Sequence, residues 1–272
     1  MMTGQSSTTP GAKRVKETWV PILMYHQVTP SPLPQFRKYA VTTEAFDRQL
    51  AWLAARGYAP VTMEALYRHR SGAEALPPRP VVLTFDDGYR DCLDYVAPIL
   101  QARGFTATFF VVGKLAGKTS RWLLAERGIE LPLLDWDAVR TLRAAGNECG
   151  SHAMSHTRLT RLSAKDCREE LKSSRRKLED ELGEEVRHLA YPFGDYDESV
   201  RAIAGECGYA TACSVRLGWS PPDDDLLALR RIHVHGEAEL TDFADKFRRL
   251  RTPRQLIRAG ARAIRRLLTG KP

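Results

Sequence analysis

The run Val81-Val82-Leu83-Thr84-Phe85-Asp86-Asp87-Gly88 decides how the rest of the chain is read. Val81 to Phe85 is β-branched, apolar and aromatic, the pattern of a strand buried on both faces, and Gly88 stops it. Two adjacent carboxylates at its end repel each other and are costly to desolvate together. They are therefore solvated, paired with basic groups, or bound to a cation. A plain Asp-Gly turn explains the last five residues equally well when they are taken alone. The choice is made downstream.

Outward from this run, strands and helices alternate. Residues 21–25 read as a first strand ending at His26, and Pro30, Pro32 and Pro34 punctuate an extended loop. Thr43 is the expected cap of a helix over 43–56, with Phe46, Leu50 and Leu53 at helical spacing and Gly57 as the stop. Residues 58–61 read as a short strand and 63–69 as a helix. After the acidic turn come a helix over 90–103, a strand over 106–112, and helices over 135–145 and 165–182. Strands are expected over 189–191, 210–215 and 231–234. This alternation argues for α/β architecture around a mainly parallel sheet. A chain of 272 residues with no long linker between positions 20 and 245 fits one α/β barrel.

Composition narrows the function classes. The chain is 43% hydrophobic and 27% charged, an ordinary globular balance. Its net charge of +8 is concentrated at one end: residues 246–272 carry ten Lys and Arg and no acid. The rest is near neutral, which argues against a nucleic-acid-binding surface. The five Cys form no Cys-x-x-Cys pair, so neither a disulfide framework nor a thiolate zinc site is expected. Residues 1–18 are polar and read as a mobile leader, with no apolar signal segment and no transmembrane run. The expected location is cytoplasmic, or peripheral at the inner membrane face.

Two further motifs give the acidic turn its meaning. His152-Ala153-Met154-Ser155-His156 spaces two imidazoles so that one ion can take both, although alone the pair reads as structural. With one carboxylate, Asp87 for instance, the pair makes a facial metal site with open positions. Asp86 is then left free to act on water. Tyr191-Pro192-Phe193-Gly194 follows a short apolar strand and reads as a rigid turn.

In this order and together, these three motifs resemble those of the polysaccharide deacetylases of the NodB-homology class, carbohydrate esterase family 4, over residues 20–235. Met24-Tyr25-His26 resembles the subgroup of poly-N-acetylglucosamine N-deacetylases. The resemblance implies a distorted (β/α) barrel of about seven strands. It implies metal-dependent removal of N-acetyl groups from an amino-sugar polymer or oligomer. It implies one divalent ion, zinc first, with cobalt, nickel or manganese as alternatives, on Asp87, His152 and His156. Asp86 matches the catalytic base, the backbone N–H of Phe193 the oxyanion donor, and His26 the general acid. Tyr191, Pro192, Trp136, His233 and His235 are the expected substrate-contacting residues. Trp136 reads equally as a core residue, and His233 or His235 is the runner-up acid.

The chain also departs from the family pattern. Many relatives carry Arg two residues before the Pro of the third motif, where this chain has Ala190, so Asp86 must be oriented from elsewhere. If 231–234 is a strand, His233 and His235 share one face. Three rival functions remain: a deacetylase or deformylase of a lipid-linked amino sugar, a non-catalytic carbohydrate-binding relative, and, on the tail alone, a basic membrane- or nucleic-acid-binding protein. In the tail, Ile257, Ala261, Ile264 and Leu268 recur at helical spacing among arginines. This helix of 246–272 either lies on an anionic membrane or packs on the barrel.

Overall fold

The structure, a computed structural model, describes residues 18–250. The expected leader, apart from Thr18, and the amphipathic pattern at 257–268 lie outside the described residues. The elements run β1 (Ile22–Tyr25), β2 (Gln27–Val28), β3 (Ala40–Val41), α1 (Thr43–Ala54), β4 (Ala59–Val61), α2 (Met63–Arg70), β5 (Pro80–Phe85), α3 (Ala97–Ala102) and β6 (Thr108–Val111). They continue through α4 (Arg121–Arg127), α5 (Trp136–Ala144), β7 (Glu148–Ser151), α6 (Ala164–Leu182), β8 (His188–Ala190), α7 (Glu198–Glu206), β9 (Thr211–Leu217), β10 (Leu229–His233) and α8 (Leu240–Arg249).

Seven parallel strands close a ring in the order β1-β10-β9-β8-β7-β6-β5, and β5 returns to β1. With β1 along one edge of β5, β4 pairs at Pro80 to Val82 and β6 at Thr84 and Phe85. The eighth strand thus shares an edge instead of entering the ring. This is the distorted seven-strand barrel that the motifs imply.

Strand parity builds two layers. Ile22, Val82, Phe110, Ala190, Cys213 and Leu229, one from each of six strands, meet inside with Met63 and Leu66 of α2. The alternate residues, such as Leu23, Val81, Leu83 and Phe109, face outward onto Phe46, Leu50, Val139 and Phe247 of the helices. Gly150 of β7 is needed inside. A Cβ there would lie 2.7 Å from the Phe110 ring.

Local differences from the sequence reading have simple causes. Thr42, not Thr43, caps α1, its hydroxyl accepting from the Ala45 N–H at 3.1 Å. The helix expected over 90–103 forms over 91–102, with a π-type turn at Cys92–Val96 where the Ala97 N–H donates to Cys92 O, just before Pro98, which has no N–H to continue the regular pattern. The domain boundary set at residue 245 cuts through α8. Phe243 and Phe247 are buried against Trp52, and Trp219 donates its indole N–H to Phe247 O at 2.9 Å.

Candidate active site

The site forms where β1, β5, β7, β8 and β10 end. Inward parity along β5 carries from Val82 through Thr84 to Asp86. On β10 it carries from Leu229 through Arg231 to His233. Asp86 and Arg231 therefore meet inside the mouth, and both are buried. The guanidinium donates to both carboxylate oxygens at 2.7 Å and also to Ser214 O and Thr84 Oγ1. Burial alone would raise the Asp86 pKa. The facing Arg231, with His152 and His26, outweighs it and holds the carboxyl below its usual range. Arg231 thus does the work that Ala190 leaves undone. It was missed in the sequence, where the one signal was a cation two residues before His233 on the same strand face.

Asp87 leaves the strand. Its φ of 75° lies in the left-handed region, which a non-glycine residue enters only when its surroundings impose it. Ala153 (60°), His156 (58°) and Phe193 (60°) share this conformation, so four of the five described non-glycine residues with positive φ belong to the three motifs. The turns bring Asp87 Oδ1 to 3.1 Å from His152 Nε2 and 3.1 Å from His156 Nε2. Burial would raise the Asp87 pKa, but the two imidazoles overcome it and keep the group well below the ordinary carboxylate range.

These residues fit a bound divalent ion. His152 donates Nδ1–H to Ala190 O at 2.8 Å, which leaves its Nε2 lone pair facing Asp87. His156 Nδ1 is buried without a partner among the described residues. The three ligand atoms lie within 4.8 Å of one another, and the Asp-His-His set suits zinc and its neighbours. Trp122 stacks on the His156 ring at 4.0 Å, and Phe193 closes on it at 4.5 Å.

A cleft of about 490 Å³ opens over this group. His26 lines it at the end of β1. Burial lowers its pKa, and Asp87 and Asp86 offset this only in part. His233 and His235 also line the cleft. Burial and the cationic Arg231 push His233 down to about 4. Tyr191 lines the floor, its hydroxyl donating to Leu227 O at 2.9 Å. Phe193 turns the chain there, followed by Gly194, where a Cβ would lie 2.3 Å from Val215.

Two expected substrate contacts fall elsewhere. Pro192 is buried in the turn and does not line the cleft. Trp136 opens α5, packs on the outer core and has Lys177 Nζ 5.4 Å from its ring. Its core reading is the correct one. The cleft's tryptophan is Trp122 on α4, a helix whose pattern in the sequence gave no lead.

A closed parallel barrel with carboxylates and imidazoles gathered at the C-terminal ends of its strands is the layout of an α/β-barrel enzyme. The chain belongs to the polysaccharide deacetylase family, whose profile matches residues 73–212, and is thereby a hydrolase of carbon–nitrogen bonds other than peptide bonds. YxkH of Bacillus subtilis (strain 168) is 24% identical over 230 residues, 85% of this chain and 76% of its own length. The poly-beta-1,6-N-acetyl-D-glucosamine N-deacetylase of Escherichia coli (strain K12) is 40% identical over 91 residues, 34% of this chain but 13% of that protein. Among solved structures, the Streptococcus pyogenes deacetylase PplD in complex with acetate superposes with a TM-score of 0.74 at 24% identity. The match covers 85% of this chain and 99% of that one, a likeness of fold.

Proposed function

We propose that this chain removes N-acetyl groups from an amino-sugar glycan, with Asp86 as base and His26 as acid. The observation that carries the reading is the separation of two adjacent carboxylates: Asp86 is locked to Arg231, and Asp87 faces two imidazoles. The activity named for the Escherichia coli relative supports an acetylated glucosamine polymer as the substrate class.

Amides resist hydrolysis because water is a weak nucleophile and an amine anion a poor leaving group. Asp87, His152 and His156 would hold one divalent ion, zinc by donor chemistry, with cobalt, nickel and manganese as alternatives. When bound, such an ion supplies Lewis acidity to water and to an acyl oxygen. Asp86, ionised and fixed by Arg231, keeps a free lone pair on each oxygen and accepts the proton of the attacking water. The Phe193 peptide N–H donates to the developing oxyanion. His26 then protonates the departing nitrogen. It suits this role better than His233, because two carboxylates oppose the burial and the Arg231 charge that lower its pKa, whereas the charged groups around His233 all lower it further.

The test is acetate release from N-acetylglucosamine oligomers by the metal-supplemented protein, with Asp86→Asn as control. Release by the wild type and its loss in the variant are expected. No release from any acetylated amino sugar would overturn the reading.

A further inference from the structure

We propose that the amino sugar taken by this cleft carries a phosphate, held by Lys38, Arg127 and Arg158. This names the substrate class of the deacetylase reading above and rests on it.

The charges at the mouth divide into two sets. Asp86 and Asp87 are occupied by Arg231 and the imidazoles. Farther out, the cleft is lined by Lys38, Arg127 and Arg158 against one carboxylate, the exposed Glu126. Among the described residues, none of these three cations is in an ion pair. Arg140, Arg143, Arg175 and Arg201 on the outer helices each pair with acids. A cation left without a carboxylate in a cleft is available to a ligand's negative charge.

The two guanidiniums are held in place. Arg127 lies 4.9 Å from the Tyr39 ring centroid and 5.9 Å from that of Phe36. It donates Nη1–H to Gln35 O at 3.3 Å, and its buried Nε–H has no partner among the described residues. Lys38 Nζ lies 5.5 Å from the same Tyr39 ring, and that ring stands 5.4 Å from His26. Arg158 lies 4.2 Å from the Phe193 ring, which stands 4.5 Å from His156. Each guanidinium is therefore one aromatic ring out from the candidate centre, in the lining of the same cleft.

Chemistry selects the ligand. The hydroxyls and acetamides of a neutral glycan do not call for unpaired cations. Each deacetylation leaves an ammonium, which a cationic rim repels, so a glucosamine homopolymer becomes a poorer ligand as it is processed. A phosphate has the charge and the oxygens for guanidiniums pre-oriented on aromatic rings. Both a phosphodiester-linked polymer and a lipid diphosphate sugar present that group beside the amino sugar.

Calorimetry of the zinc-loaded full chain with N-acetylglucosamine and N-acetylglucosamine 1-phosphate tests the proposal. The phosphorylated sugar is expected to bind at least about tenfold tighter. Arg127→Gln and Arg158→Gln are each expected to shrink that ratio severalfold, while Arg161→Gln, an exposed cation outside the cleft, is expected to preserve it. A wild-type ratio near one overturns the proposal. So does a ratio that both cleft variants leave intact, which would put the phosphate on Asp87, His152 and His156 through the metal. Acetate release from a phosphodiester-linked oligomer and from a short-chain lipid diphosphate sugar tells the two sources apart. Acetate release from neutral oligomers at the same efficiency as from both phosphorylated substrates sinks this inference and leaves the deacetylase reading standing. A phosphate preference without acetate release from any sugar does the reverse.

Discussion

The two ends of the barrel hold similar side chains in opposite conditions. At the N-terminal end, Glu148 accepts from the N–H groups of Met63 and Glu64 at 2.9 Å each and from Thr108 Oγ1 at 2.6 Å. His188 beside it bonds Thr211 at 2.8 Å and Glu64 at 3.1 Å. These carboxylates and this imidazole cap helix α2 and plug the barrel, and their polar atoms find partners within the protein. At the C-terminal end, Asp87 and His156 sit on left-handed backbone, His156 Nδ1 has no partner among the described residues, and a cleft opens above. Among the described residues, this is the group whose ligand atoms gather as a metal site requires. Residue type does not separate a plug from a reaction centre. Unsatisfied atoms, backbone strain and an open path do.

The sharpest way to break this contrast is to remove a ligand at each end. His152→Ala is expected to abolish both bound metal and acetate release, whereas His188→Ala is expected to leave the metal content of the folded protein unchanged. Elemental analysis of both purified variants decides, and metal retained by His152→Ala would mean that the ligands are misassigned. Asp86→Asn comes next, with acetate release per folded molecule falling by about 10²–10⁴ and the metal kept. It will also be less stable, because Arg231 is left buried opposite a neutral amide. An empty site in this variant would make Asp86 a ligand and not the base. His26→Ala is expected to cut turnover about 10²-fold, and His233→Ala much less. The opposite ranking would move the acid to β10.

Much of this was legible in the sequence because the barrel repeats a short rule. An apolar strand ends, a polar motif follows, and the motif lies at the mouth. The three motifs could be read at the ends of β5, β7 and β8 for that reason. Arg231 could not, since its partner Asp86 is 145 residues away and only ring closure brings β10 beside β1. Trp122 was hidden by α4, whose surroundings are an irregular loop. Trp136 misled because a helix-start tryptophan beside a cap has the same local pattern whether it faces the cleft or the outer core.

The N-terminal plug offers a smaller, purely structural effect. Glu148→Gln keeps the shape but loses the charge that accepts from two helix N–H groups and faces His188. A loss of about 1–3 kcal/mol in folding stability is expected, with turnover of the folded protein unaltered. Denaturant unfolding followed by acetate release at the same folded concentration checks both halves. A fall in turnover larger than the fall in folded fraction would tie the two ends together and undo the contrast.

Asp91 lies outside the candidate centre and gives the cleanest control. It is a buried carboxyl with, among the described residues, no imidazole or cation beside it; the Gln27 side chain and the Val28 backbone only partly offset its burial. Burial pushes its pKa up to about 8, the reverse of what the imidazoles do to Asp87. In the unfolded chain it titrates near ~3.9. The folded state therefore binds the proton more tightly. Its share of stability is complete below about pH 4 and is lost steadily as pH rises toward 8. Asp91→Asn does not titrate, so its stability relative to wild type should grow more favourable across that window, by at most about 1.4 kcal/mol per pH unit. Thermal melts of both proteins at pH 5, 6 and 7 measure the trend. A constant gap across the three would show that Asp91 finds a countercharge in the folded protein, and that burial without one is not what distinguishes it from Asp87.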